Sequence, residues 1–387
     1  MSAAAHGAGP ADERPEHGDD ARTRDTSAAR AGEDRPVRDE DAFDVAAVDA
    51  WLRGAPGVDA ATLGDGPPQV RQFTGGASNL TYLLRYPRRD VILRRPPAGT
   101  KARSAHDMAR EHEIQARLKP AFPYVPEMVA LCTDHDVLGS DFYVMERVEG
   151  VTPRAEMPPE VGTDPARMAA LADRFVELLV ELHAVDPEAA GLDGIGRGPG
   201  YVGRQVAGWS ERYRRAKTWN VPSYEGVMRW LEREQPPDAG ASVIHNDYRL
   251  DNLVLDRAGD DPLTVRAVLD WEMATIGDPL MDLGGSLAYW LQADDGAASH
   301  RFRRQPSHLP GMPTRAQLVA RYGELTGRDV SGWAFYEVFG LFRLAVIVQQ
   351  IYYRYHHGQT RNPRFRPYWL ATHVLQRRCR RAIRAAR

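Results

Sequence analysis

His245, Asp247, Asn252 and Asp270 are residues whose types and spacing could do chemistry together. The first three lie in Val243-Ile244-His245-Asn246-Asp247-Tyr248-Arg249-Leu250-Asp251-Asn252-Leu253-Val254-Leu255, and the fourth follows the apolar run Ala267-Val268-Leu269. Two short apolar runs, each ending in acidic or amide side chains, read as strand, loop, strand, turn, strand, with a polar turn at 256–262. That order gathers a carboxylate, an amide oxygen and a second carboxylate at one end of neighbouring strands. Oxygen donors of this kind suit Mg²⁺, with a base beside them, which is the equipment of phosphoryl transfer. The pattern H-x-D-x₄-N alone arises by accident in on the order of a few per cent of chains this long, so the elements around it carry the weight.

Those elements begin upstream. Apolar residues at helical spacing from Asp41 to Leu52 predict a short helix. Val70 to Leu84 reads as strand, glycine turn, strand, with Gly75 and Gly76 at the turn, where backbone N–H groups can approach a phosphate, and Ser78 and Asn79 as added donors. A third strand, Asp90 to Arg95, ends in two cations before Pro96-Pro97 stops it. Ala109 to Leu118 predicts a helix carrying Glu111 and Glu113, followed by strands at 128–132 and 142–148. Beyond Gly150 the periodicity is mostly helical: 168–183, 206–217, 224–234, 317–326, 333–355 and 368–384. The glycine-rich run 191–200 follows a helix, lacks nucleotide-loop spacing and reads as a plain loop.

The totals set limits. At 387 residues the chain can bury more than one packed unit, and a net charge of −3 calls for neither nucleic acid nor an anionic membrane. Residues 1–38 hold almost no large apolar side chain and are expected to be a disordered tail. Lys101, Lys119 and Lys217 are the only lysines, so basic charge is almost wholly arginine. Cys132 and Cys379, without metal-site spacing, read as reduced thiols of a cytoplasmic protein. No apolar signal segment is visible at the N-terminus. The apolar run Val338 to Ile351, interrupted by Arg343, reads as a buried helix too short to span a membrane.

On these motifs the sequence resembles the aminoglycoside phosphotransferase and choline-kinase-like family of small-molecule kinases, from roughly Phe43 to the C-terminus. His245 to Asn252 looks like that family's catalytic loop, Asp270-Trp271-Glu272 stands where protein kinases carry D-F-G, and Ile276-Gly277-Asp278-Pro279-Leu280-Met281-Asp282-Leu283-Gly284 is typical of the family. Four stretches (73–82, 93–99, 105–111 and 142–150) are similar to the subgroup found beside or fused to acyl-CoA dehydrogenases, although no dehydrogenase domain is present in this chain.

The resemblance implies an α+β, protein-kinase-like two-lobe fold: a small N-terminal antiparallel sheet plus helix at 39–148, and a larger, mainly helical catalytic and substrate-binding lobe at 149–387. It implies ATP and Mg²⁺ as cofactors, a small-molecule hydroxyl as substrate, and a functional link to an acyl-CoA dehydrogenase. Asp247 would orient or accept the hydroxyl proton, and Asn252 and Asp270 would hold the metal. Gly75, Gly76, Ser78, Asn79 and Arg94 would face the phosphates. Glu111 (alternatively Glu113) would pair with Arg94, and Glu146 and Val148 would meet the adenine through the main chain. His245 is expected to be structural, bonding to nearby backbone and keeping the loop rigid. Arg94 departs from the lysine usual in protein kinases; it keeps the charge with a different reach, and the subgroup itself shows arginine there. Trp271, Arg343, Gln349 and Tyr353 are candidates for the acceptor pocket. Arg343, Arg354 and the basic C-terminus favour an anionic acceptor such as a hydroxyacyl-CoA. An aminoglycoside phosphotransferase and a nucleotide-binding pseudokinase are the alternatives.

Overall fold

The structure, a computed structural model, describes residues 34–73, 79–97, 107–256 and 263–386. Gly75, Gly76 and Ser78 therefore lie outside the described residues. The N-terminal sheet comprises β1 (Asp34–Arg35), β2 (Gln69–Phe73), β3 (Leu80–Arg85), β4 (Asp90–Arg95), β5 (Met128–Cys132) and β6 (Phe142–Glu146). They pair antiparallel in the order β1-β2-β3-β4-β6-β5. Of the expected tail, residues 34–38 lie against the sheet: Asp34 and Arg35 pair with Phe73 and Gln72, and the Gln72 side chain accepts from the Arg38 N–H.

Side-chain alternation gives this sheet two apolar faces. Tyr82, Leu84, Val91, Leu93, Phe142 and Val144 pack with Val48 and Leu52 of α1 (Val45–Gly54), whose first turn is capped by Asp44. Leu83, Ile92, Tyr143 and Met145 point the other way and pack with Met108, the first residue of α2 (Met108–Leu118). This alternation also separates the two cations ending β4. Arg94 shares the face of Ile92 and meets α2. Arg95 points to the α1 face, where it donates to the Asp41 carbonyl at 2.7 Å and to the Tyr82 hydroxyl.

After Gly150 the chain becomes the helical lobe, joined to the catalytic strands by a bridge between Val151 and Leu255. Its helices are α3 (Pro165–His183), α4 (Tyr201–Ala216), α5 (Glu225–Arg233), α6 (Pro279–Ala288), α7 (Arg315–Thr326), α8 (Trp333–His356) and α9 (Tyr368–Ala385). Two small antiparallel pairs lie before α6. β7 (Ser242–Ile244) pairs with β10 (Thr275–Gly277), and β8 (Leu253–Leu255) pairs with β9 (Val265–Val268). One large core, from Leu171 and Phe175 of α3 to Phe342 and Val346 of α8, fills the space between them.

Helix α6 is not predicted by propensity, because Gly284 and Gly285 sit in its middle. Packing explains them: a Cβ on Gly340 of α8 would lie 2.0 Å from the Gly284 carbonyl oxygen, so the two helices cross backbone to backbone. By length and composition α8 could cross a membrane, yet most of its apolar window is buried inside the lobe.

Candidate active site

The loop from His245 to Asn252 is held from below by a buried carboxylate. Asp282, in the first turn of α6, accepts from the backbone N–H groups of His245 and Asn246, both at 2.8 Å. His183 of α3 adds its Nε2–H at 3.2 Å, and the Tyr322 hydroxyl donates to His183 Nδ1 at 2.7 Å. Asn246 can therefore sit at φ +63°. It and Asp270, at φ +72°, are the only non-glycine residues at positive φ among the described residues. Such backbone costs about 1–3 kcal/mol per residue and persists only where its surroundings over-determine it. Further contacts hold Asn246: its carbonyl accepts from Arg343, its side-chain oxygen from the Tyr201 hydroxyl, and its amide donates to the Met273 carbonyl.

His245 is wholly buried and structural in its contacts. Its Nε2–H donates to the Leu269 carbonyl at 3.0 Å, its Nδ1 accepts the Asp247 N–H at 3.2 Å, and its ring packs on Trp271. These bonds specify one neutral tautomer and tie the strand end before Asp270 to the loop carrying Asp247.

The Asp247 carboxylate is aimed by two neighbours. Arg249 donates to its Oδ2 at 3.1 Å and to Asp251 at 3.0 Å. Asn252 donates from Nδ2 to the Asp247 carbonyl at 2.8 Å and to Oδ2 at 3.3 Å. This use of the amide nitrogen leaves the Asn252 carbonyl oxygen as its acceptor end. The Arg249 guanidinium lies over the Tyr289 ring, 4.8 Å from its centroid.

Arg94 reaches the same place from the sheet. It meets Glu111 at 3.1 Å, Asp270 at 2.7 Å and Glu272 at 3.3 Å, and Tyr143 donates to Glu111 at 2.9 Å. Glu113, the alternative partner, faces outward and pairs with Arg117. Burial would push the Asp270 carboxyl up, but the charge and hydrogen bond of Arg94, with Arg249 behind, outweigh it and hold it below the usual carboxylate range. An ionised carboxylate and an amide oxygen are donors that fit Mg²⁺. No cluster of three or more His, Cys, Asp or Glu able to hold a metal occurs among the described residues. Mg²⁺ is usually bound by one or two carboxylates together with substrate phosphates.

Asp247, Asn252, Asp270, Arg94 and Glu111 are thus brought together. Other expectations change. Trp271 is 0% exposed, donates to the Val268 carbonyl at 2.8 Å and packs on Phe122, as a core residue does. Gln349 is also 0% exposed and donates to the Ala216 carbonyl. Arg343 is buried, supporting Asn246 from α8, and Tyr353 stacks on His357 near the helix end. The side chain of Asn79 donates to Glu272 at 3.1 Å. The Glu146 N–H is already given to the Glu127 carbonyl, while Val148 lies half-buried just past β6. Of the C-terminal arginines, Arg380 and Arg384 line a groove with α5, and half-buried Arg378 lies beside Arg315 and Glu337. Asp282, Arg249 and Tyr289 are the residues sequence reasoning missed. For Asp282 the only signal was its place in the Gly277-Asp278-Pro279 stretch.

Comparison with known proteins agrees with this geometry. A model of the phosphotransferase enzyme family matches residues 69–318. Acyl-CoA dehydrogenase family member 10 of Mus musculus is 36% identical over 327 residues, 84% of this chain and 30% of that one. Family member 11 of Gallus gallus is 35% identical over 328 residues, 82% of this chain and 41% of that one. This chain therefore spans well under half the length of these curated relatives. A Ralstonia eutropha structure described as a candidate aminoglycoside phosphotransferase is 30% identical with a TM-score of 0.70, covering 86% of this chain and 96% of that one. Choline kinase of Cryptosporidium parvum, 11% identical with a TM-score of 0.53 over 86% of this chain and 96% of that one, shares the fold alone.

Proposed function

The chain belongs to the phosphotransferase enzyme family, with a protein-kinase-like fold and the activity class of a small-molecule kinase, and from that premise we propose that it moves the γ-phosphate of ATP to a hydroxyl of a small anionic metabolite. The observation that carries this reading is the convergence of Asp247, Asn252 and Asp270 with the Arg94–Glu111 pair behind them. Arg249 and Asn252 hold the Asp247 carboxylate still, so it can orient the acceptor hydroxyl and take its proton as the oxygen attacks in line. Asn252 and Asp270 would hold Mg²⁺, which supplies neutralisation of charge on the phosphate oxygens. Arg94, kept charged by Glu111 and Asp270 against the pull of burial, presents a fixed cation to the α- and β-phosphates. Val148 supplies main-chain groups to the adenine.

A hydroxyacyl-CoA is the acceptor we propose. What favours it over a polycationic aminoglycoside is the company of the relatives, which are acyl-CoA dehydrogenase family members. The names of the relatives add a functional link to an acyl-CoA dehydrogenase, and a cytoplasmic setting belongs to the same proposal. The test is a screen of hydroxyacyl-CoAs and aminoglycosides with γ-labelled ATP. Label on a hydroxyacyl-CoA supports the reading, and label on an aminoglycoside alone removes it.

One contact favours a second reading. Arg94 at 2.7 Å occupies an oxygen of Asp270 that a metal would need, as in a nucleotide-binding scaffold without turnover. ATP binding that is indifferent to Mg²⁺, with no label transferred to any acceptor, would support the scaffold.

A further inference from the structure

A second cationic centre lies on the outer side of the catalytic loop. Arg154, just past the lobe junction, is half-buried, and its guanidinium makes no hydrogen bond or ion pair among the described residues. Its charged neighbours are Asp251, Arg304 and Arg249. The two chain segments are locked there. Arg303 donates to the Ala155 carbonyl at 3.1 Å and pairs with Glu156, and Gln305 accepts the Leu250 N–H at 3.1 Å. Two buried donors, Arg249 Nε and Gln305 Nε2, lack partners, as does one acceptor, Asp251 Oδ1. The other Asp251 oxygen is held by Arg249. Burial, with repulsion from Arg304 and Arg249, holds the Arg154 guanidinium below its usual range despite Asp251. The centre is short of negative charge.

We propose that Arg154 and Arg304, beside the Arg249–Asp251 arm of the catalytic loop, form a subsite for a phosphate group of the acceptor. Two guanidiniums, half-buried Arg154 and exposed Arg304, match an ion with several oxygens, because charge-assisted contacts of this kind are strong and directional, and the adjoining buried segments keep Arg249 Nε and Gln305 Nε2 unpartnered. Arg249 bridges Asp247 and Asp251, so an acceptor anchored at the subsite can place its hydroxyl at the base. The inference rests on the phosphotransferase reading for its purpose, and the titration separates an acceptor phosphate from one of the nucleotide.

The test is calorimetric titration of inorganic phosphate into the full chain saturated with the Mg²⁺ complex of a non-hydrolysable ATP analogue. Wild type, Arg154→Gln, Arg304→Gln and Arg154→Lys are compared. The expected result is one phosphate bound beside the nucleotide, weakened about tenfold by each glutamine variant and less by lysine. Analogue affinity and melting temperature should stay unchanged. Unaltered phosphate affinity would make Arg154 a mere counter-charge to Asp251 and overturn the proposal. Phosphate displaced by the analogue, or analogue affinity lost in the variants, would assign the cluster to the nucleotide and overturn it too. Failure of the phosphotransferase reading appears separately, as wild type that binds no ATP analogue, and the same titration without nucleotide then still decides the subsite.

Discussion

Replacing Asp282 by asparagine keeps the size of the side chain and changes only what holds the catalytic loop. The carboxylate accepts three hydrogen bonds, at 2.8, 2.8 and 3.2 Å, from His245, Asn246 and His183. An amide has one acceptor oxygen, so at least one of the two backbone N–H groups would face an NH₂ in a fully buried place. A stranded buried donor costs about 1–3 kcal/mol, and with the lost charge assistance the total is about 2–4 kcal/mol. At about 2–4 °C per kcal/mol the melting temperature should fall by roughly 5–10 °C. Loosening Asn246 and Asp247 should also lower the rate of ATP hydrolysis by roughly 10–100-fold, since a small misplacement of a reacting group is expensive.

The pH dependence has a sign. Burial raises the Asp282 carboxyl, but the hydrogen bonds from the His183 ring and from the His245 N–H hold it below its usual range. The folded-state pKa is thus below the unfolded value of about 3.9, so the contribution is complete above that value and lost as pH falls through the folded one. The stability gap between wild type and Asp282→Asn should be flat from about pH 7 to about pH 5 and close below about pH 4. Denaturant unfolding across that range, with hydrolysis measured at neutral pH, checks both arms. A variant as stable and as active as wild type would refute the role given to Asp282.

Other perturbations have equally definite outcomes. Arg94→Met strands the buried Glu111 carboxylate and should destabilise by about 3–5 kcal/mol, read by denaturant unfolding, whereas Arg94→Lys should retain part of the stability and bind ATP more weakly. Trp271→Phe should lose about 1–3 kcal/mol by leaving the Val268 carbonyl unpaired, with KM for the acceptor unchanged; a raised KM would return Trp271 to the pocket. Cys379, whose thiol burial pushes up to about 12, and buried Cys132 should both resist a thiol reagent in native protein at about pH 8 and both react in guanidinium.

The chemistry was the legible part of this sequence. Asp247, Asn252 and Asp270 follow short apolar strands, and strand ends cluster wherever their strands pair, so spacing together with the order of the surrounding elements grouped them. Alternation along β4 separates Arg94 from Arg95, and the turn of α2 that buries Glu111 exposes Glu113. What could not be read was which side of a helix meets which neighbour. Trp271, Gln349 and Arg343 sit near functional residues in sequence or on a helix with a plausible face, yet their surroundings come from α4, from Phe122 and from Asn246, far away in the chain. Asp282 was hidden for the same reason, since its partners lie some 37 and 99 residues away. Helix α6 was obscured because Gly284 and Gly285 lower its propensity while permitting the close crossing with α8.

The central claim is that Asp247 drives transfer of phosphate from a nucleotide held by Arg94 and Asp270. Release or transfer of labelled γ-phosphate by wild type and by Asp247→Ala, with affinity for the ATP–Mg²⁺ complex measured on both, tests it directly. The account predicts near-complete loss of turnover in the variant, about 10²-fold or more, with nucleotide affinity and melting temperature preserved. Turnover undiminished in Asp247→Ala would contradict it.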